Sequence, residues 1–290
     1  MRLQLVKENI LYRPDFSNIA DEWYFPEEKR KYENDLSEGK LDPIYHTNTL
    51  MYNYNSMGYR TSEFDTFKDQ GFVLVFGCSY TEGVGLHEEH IWHSHITKNH
   101  NIRVMNLGIG GTGSDAIRFN SALYLANKMP KPRLVIFQWP GFYRRLFSQA
   151  EDESGRSMLA IMPTIGLDDE VTSTYEQQDR KHIAMKMDEK WFVERWIAYP
   201  DEMRNRVFQD ILSSITLFRT WNVPVISFAW DEFNFKEEDC AMNTYKNILD
   251  VKLINTNTVH DLRARDALHP GRNVHKRVYD IIKPKLERYL

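Results

Sequence analysis

From residue 71 onward, short apolar runs alternate with stretches of helical spacing. Phe72–Phe76, Arg103–Leu107, Leu134–Phe137, Pro224–Ala229 and the weaker Val251–Ile254 have the length and apolar content of buried strands. Such runs suit parallel strands, whose two faces are both covered and so need no polar alternation. Between them the period changes. Met203, Val207, Phe208, Ile211, Leu212, Ile215 and Phe218 fall on one helical face, with Asp201 available as N-cap. Val274, Val278, Ile281 and Ile282 predict a last helix that starts just after Pro270. Pro284 should end or kink it, because proline has no N–H to donate. Five strands alternating with helices predict a doubly wound α/β sheet. In such sheets ligands sit beyond the carboxyl ends of the strands.

Two stretches depart from this alternation. Residues 1–70 are rich in aromatics and charges (Trp23, Tyr24, Phe25, then Glu27–Lys31) with weak periodicity. They read as an irregular N-terminal arm with short strands, packed on a main domain of residues 71–290. Residues 142–200 are polar, with Glu151–Glu153, Asp168–Glu170 and Gln177–Lys181. They read as an insertion, either a lid over the strand ends or a solvated excursion.

With 42% hydrophobic and 27% charged residues in 290, the chain has the composition of a soluble globular protein able to bury a core. Lys+Arg 37 against Asp+Glu 41 gives a net charge of −4. That balance exerts no general pull on phosphate backbones or anionic lipid, so neither nucleic acid nor membrane is expected as a partner. Two cysteines, Cys78 and Cys240, cannot build a disulfide scaffold or a cysteine zinc site. Lys7 and Glu8 interrupt the place where a signal peptide needs its apolar stretch. The longest apolar run, Val223–Trp230, is far short of the ~20 residues of a spanning helix. A soluble, cytoplasmic protein is expected.

Two strand-end segments carry chemistry. Gly77-Cys78-Ser79-Tyr80-Thr81-Glu82-Gly83 follows the first core strand. A serine at a strand-to-helix turn exposes its hydroxyl near backbone N–H groups that can hold an oxyanion. The plain alternative is a capping serine. Near the C-terminus, Asp266 and His269 lie three residues apart before the last helix. The carboxylate can fix the imidazole tautomer and leave the other ring nitrogen free as a base. The plain alternative is a capping Asp beside a surface His.

Three further signals compete. Gly108-Ile109-Gly110-Gly111-Thr112-Gly113 matches G-x-G-x-x-G, but it follows the second strand, and position 133, where the ribose acid would fall, is Arg. His87, His90, His93 and His95 could align as zinc ligands, although structural helix residues are the simpler reading. Asp231, Glu232 and Glu237-Glu238-Asp239 after the fourth strand read as solvated loop charges.

Together the blocks resemble the SGNH (GDSL-type) hydrolase family. Phe76–Gly83 resembles the family's first block, Asn106–Thr112 its second and Asp266–Pro270 its last. Asn55-Ser56-Met57-Gly58-Tyr59-Arg60 resembles a lead-in found in some members. The resemblance implies a three-layer α/β/α sandwich with a five-stranded parallel, flavodoxin-like sheet. It also implies a serine esterase or acyltransferase that uses no metal and no cofactor. Ser79 matches the nucleophile, His269 the base, Asp266 its orienting partner, and Gly111 the oxyanion glycine whose N–H acts beside that of Ser79. Two positions depart from the family pattern. Cys78 stands where an Asp usually precedes the nucleophile, and it is an alternative nucleophile in its own right. The third strand runs into Gln138-Trp139-Pro140-Gly141 without the family's oxyanion Asn, and Gln138 is the substitute amide donor.

The expected function is therefore hydrolysis of an acyl ester, acetyl or another small group, on a small molecule or a glycan. An O-acyltransferase, or a catalytically impaired glycan-binding or assembly protein, are the alternatives. Trp139, Tyr143, Trp191 and Trp196 are candidates for sugar stacking, or else core aromatics.

Overall fold

The computed structural model describes residues 19–20, 26–46, 50–68, 71–110, 112–140, 145–148, 158–161, 200–230, 251–254, 262–266 and 269–290. The strands in chain order are β1 Ile19–Ala20, β2 Met51–Tyr52, β3 Phe72–Gly77, β4 Arg103–Gly108, β5 Leu134–Trp139, β6 Arg145–Ser148, β7 Met158–Ile161, β8 Val225–Trp230 and β9 Val251–Ile254. The helices are α1 Pro26–Ser37, α2 Ser79–Glu82, α3 Ser94–His100, α4 Ser114–Ala126, α5 Pro200–Thr220 and α6 Arg272–Leu286.

The predicted apolar runs form a parallel sheet with β3 in its interior, flanked by β4 and β5. β8 pairs with β5 in parallel, and β9 pairs with β8 outside it. β3, β5 and β8 are buried along their whole length, as continuous apolar runs require. Of the five expected strands, four are full strands of this sheet. The weakest, β9, is a short edge strand of four residues.

Alternate residues of each strand face opposite sides, and each side has its own helices. Phe72, Leu74, Phe76, Val135, Phe137 and Trp139 pack with Ile117 and Tyr124 of α4 and with Val207, Phe208, Ile211, Ile215 and Phe218 of α5. Val73, Val75, Leu134, Ile136, Phe228 and Trp230 pack with Trp92, with Ile96 of α3, and with Val278, Tyr279 and Ile282 of α6. The carboxyl ends of β3, β4, β5 and β8 therefore lie together between two helical layers.

Three local expectations are corrected. The stretch before residue 70 is not only irregular arm with short strands: β1 and β2 pair antiparallel, and α1 is a 12-residue helix. Its sequence, PEEKRKYENDLS, opens with Pro at the first helical position and continues with good helix formers. It lacks an apolar stripe, so periodicity could not reveal it. α5 begins at Pro200, which puts Asp201 inside its first turn and not at the N-cap. Pro284 sits within α6, which runs on to Leu286. Within the 142–200 insertion the described part is an antiparallel pair, β6 with β7. Among the described residues no helix is long and apolar enough to cross a membrane.

Candidate active site

β3 ends at Gly77, Cys78 caps α2, and Ser79 is the first residue of that single helical turn. The Thr81 and Glu82 N–H groups both donate to the Cys78 carbonyl at 2.9 Å, and the Gly83 N–H donates to the Ser79 carbonyl at 2.8 Å. The turn sits low on the sheet because two neighbours have no side chain. A Cβ on Gly77 would lie 2.1 Å from Thr81 Oγ1, and one on Gly108 would lie 2.5 Å from the Glu82 backbone nitrogen.

Three groups hold this turn from different sides. From β5, Gln138 Oε1 accepts the Cys78 N–H at 3.1 Å, the Cys78 thiol at 3.3 Å and the Thr81 hydroxyl at 3.0 Å. From β4, Asn106 Nδ2 donates to the Thr81 carbonyl at 3.0 Å, and Asn106 Oδ1 accepts the Gly108 N–H at 2.9 Å. From the arm, the buried Arg60 guanidinium donates to the Gly83 carbonyl at 2.6 Å and the Leu86 carbonyl at 2.8 Å. It also lies 4.5 Å over the Tyr52 ring. A guanidinium forks well over several acceptors at once, which a lysine cannot do.

Asp266 and His269, read from spacing alone as a pair, are in contact. Asp266 Oδ2 bonds to His269 Nδ1, and Asp266 Oδ1 accepts the His269 backbone N–H at 3.1 Å. The carboxylate is buried, whereas the imidazole keeps 19% of its side-chain surface. The loop is fastened by the Ala264 N–H to the His269 carbonyl at 3.1 Å and by the Arg265 N–H to the Gly85 carbonyl at 2.9 Å. Through that second bond it reaches the segment just after α2. The His269 ring meets the Tyr80 ring edge-on, 5.6 Å between centroids and 85° between planes. Tyr80 is the residue after Ser79, so the imidazole packs against the neighbour of the candidate nucleophile.

The remaining candidates fall as follows. Gly111 lies outside the described residues, as do Tyr143, Trp191, Trp196, Cys240 and the carboxylates 231–239. Gln138 is fully buried, and its Nε2 donates to the Trp139 carbonyl at 3.0 Å. The Cys78 thiol is also fully buried and turned onto Gln138. Trp139 is in the core, stacked on Phe137 and donating to Ser227 Oγ at 2.7 Å, so it is no sugar platform.

One histidine of the run, His93, is bonded to the turn. His93 Nε2 donates to the Thr81 carbonyl at 3.0 Å, and burial pushes its pKa down to about 3. His275 of α6 accepts the Trp92 N–H at 3.2 Å, and burial holds its pKa well below the ordinary value. Burial also lowers His87, His90 and His95. Among the described residues no group of three His, Cys, Asp or Glu could hold a metal ion.

Sequence reasoning missed Arg60, Glu82, Tyr80 and His93 as parts of this constellation. Arg60 and Glu82 stand inside the quoted blocks, but nothing in a linear pattern marks a charged residue as buried.

No family model and no curated protein matches the chain. Solved structures do. The structure of TesA is similar at 14% identity over 76% of this chain and 99% of its own, with a TM-score of 0.45. A lipolytic protein of the G-D-S-L family from Veillonella parvula is similar at 10% identity over 74% and 98%, with a TM-score of 0.42. An acetyl xylan esterase from Butyrivibrio proteoclasticus is similar at 15% identity over 84% and 68%, with a TM-score of 0.40.

Proposed function

We propose that the chain is an SGNH-type serine esterase on a three-layer α/β/α sandwich with a five-stranded, flavodoxin-like sheet. Its substrate is a small acyl ester, on a small molecule or a glycan. Ser79 Oγ attacks the ester carbonyl while His269 takes the hydroxyl proton. Asp266 fixes the ring tautomer and stabilises the imidazolium that forms. The tetrahedral anion rests on the N–H groups of Ser79 and Gly111. Collapse expels the alcohol, which leaves with the proton from His269. Water, deprotonated by His269, then attacks the acyl carbon, the bond to Ser79 Oγ breaks, and His269 returns the proton to Ser79 as the acid is freed. The scheme calls for no metal and no cofactor.

The observation that carries this reading is the Asp266–His269 bond on a loop whose imidazole packs against the residue following Ser79. A lone capping aspartate would not need to face its own loop's histidine. The test is p-nitrophenyl acetate turnover by wild type and by Ser79→Ala, with loss in the variant expected.

Gln138 favours a second reading, a binding or assembly protein that kept the fold. Its amide nitrogen donates to Trp139 and its oxygen faces the turn, so we assign it to holding the turn and not to the oxyanion. Absence of turnover and of Ser79 acylation in the wild type would favour that reading. Acyl transfer to an added sugar hydroxyl, faster than hydrolysis, would identify an O-acyltransferase using the same triad.

A further inference from the structure

Glu82 is the last residue of α2, three positions after Ser79, and only 5% of it is exposed. Its carboxylate reaches across to the loop that follows β4. Oε2 accepts the Gly110 backbone N–H at 2.5 Å, and Oε1 accepts the Tyr54 hydroxyl at 2.8 Å. Gly110 directly precedes Gly111, and the stretch carries glycines at 108, 110, 111 and 113. Glycine loops lose the most backbone freedom when ordered, so such a loop relies on tethers, one of them internal, from the Thr112 hydroxyl to the Ile109 carbonyl at 2.9 Å. A carboxylate gripping a backbone N–H supplies a short, charge-assisted tether that does not depend on side chains in the loop. The contact continues along the main chain. The Ile109 N–H donates to the Gly77 carbonyl at 3.0 Å, and Gly108 packs directly on the Glu82 backbone nitrogen.

We propose that Glu82 is a positioning residue, tying the loop that carries the Gly111 oxyanion donor to the helical turn that carries Ser79. This rests on the esterase reading above. Oxyanion donors help only when they already stand where charge will develop, so a loop free to shift by a fraction of an ångström loses transition-state stabilisation with little effect on substrate binding. Reach matters here more than charge. A glutamine keeps an oxygen for the Gly110 N–H and turns its amide toward the Tyr54 oxygen. An aspartate keeps the charge but falls one methylene short.

The experiment compares kcat and KM for p-nitrophenyl acetate in wild type, Glu82→Gln, Glu82→Asp and Glu82→Ala, with Tm measured for each. Glu82→Gln should stay within about threefold of wild type. Glu82→Asp should lose about tenfold or more in kcat with KM nearly unchanged, as expected when an oxyanion donor is misplaced. Glu82→Asp keeps the inference falsifiable even where Glu82→Ala does not fold. Unchanged kcat in folded Glu82→Asp, or a larger loss in Glu82→Gln than in Glu82→Asp, overturns the inference while leaving the esterase reading intact. A wild type with neither turnover nor Ser79 acylation overturns both.

Discussion

Gln138 Oε1 accepts the Cys78 backbone N–H at 3.1 Å, so β5 carries the cap of α2 on its own carboxamide. Cys78 and Gln138 are the two positions where the chain departs from the family pattern, and they touch. The thiol also donates to this oxygen, at 3.3 Å. The two departures are thus a matched pair. Where an aspartate would bring a second acceptor facing Gln138 Oε1, cysteine brings a weak donor.

Gln138→Ala should therefore act on stability as well as rate. It strands the Cys78 N–H and the Thr81 hydroxyl in a fully buried place, each at a cost of about 1–3 kcal/mol. A clear fall in Tm is expected, measured by calorimetry. A large kcat loss at unchanged Tm would instead assign Gln138 to the oxyanion.

His269 and Asp266 should behave as one unit, because both Asp266 oxygens bond to His269. The double variant His269→Ala/Asp266→Ala should be little slower than His269→Ala alone, since groups acting together are non-additive. Multiplied losses in kcat/KM would mean that Asp266 serves the loop only.

Gly108→Ala should damage the turn without touching the triad. The added methyl meets the Glu82 backbone nitrogen at 2.5 Å, and backbone gives way at a cost of about 1–3 kcal/mol. A Tm drop together with a fall in kcat is expected. A neutral Gly108→Ala would show that α2 does not sit against β4 as described.

Stability should fall with acid. His93, His95 and His275 are held neutral below the ordinary value of 6.5, with burial the largest cause in each, and His93 and His95 lie at about 3 and about 4. The unfolded chain takes up these protons near pH 6.5 while the folded chain does not. Stability is thus present above that pH and is lost progressively as pH falls toward the folded values. The slope is at most about 1.4 kcal/mol per pH unit for each proton, less for the half-exposed His95. Tm measured from pH 8 to pH 5 should decline below about 6.5, and His275→Gln should flatten the decline. A Tm rising on acidification would contradict this.

Much of the fold was legible because it depends on local pattern. β3, β4, β5 and β8 declared themselves as apolar runs, and Asp266 met His269 because three residues on one loop leave little choice. What stayed hidden depends on contacts distant in sequence. Arg60 is buried by carbonyls 23 and 26 residues away, and Gln138 reaches a turn 60 residues back. A polar residue in a strand reads as a defect until its donors are known. α1 offers only Tyr32 and Leu36 to the core, too few for a stripe to betray it, and α6 runs two residues past Pro284.

The central claim is that Ser79 is the nucleophile, and covalent capture tests it most directly. Wild type, Ser79→Ala and Cys78→Ala are each treated with a fluorophosphonate, followed by intact mass and peptide mapping. One adduct per chain is expected on wild type and on folded Cys78→Ala, located on Ser79, and none on Ser79→Ala. An adduct that persists in Ser79→Ala, or a wild type that takes none, would contradict the account.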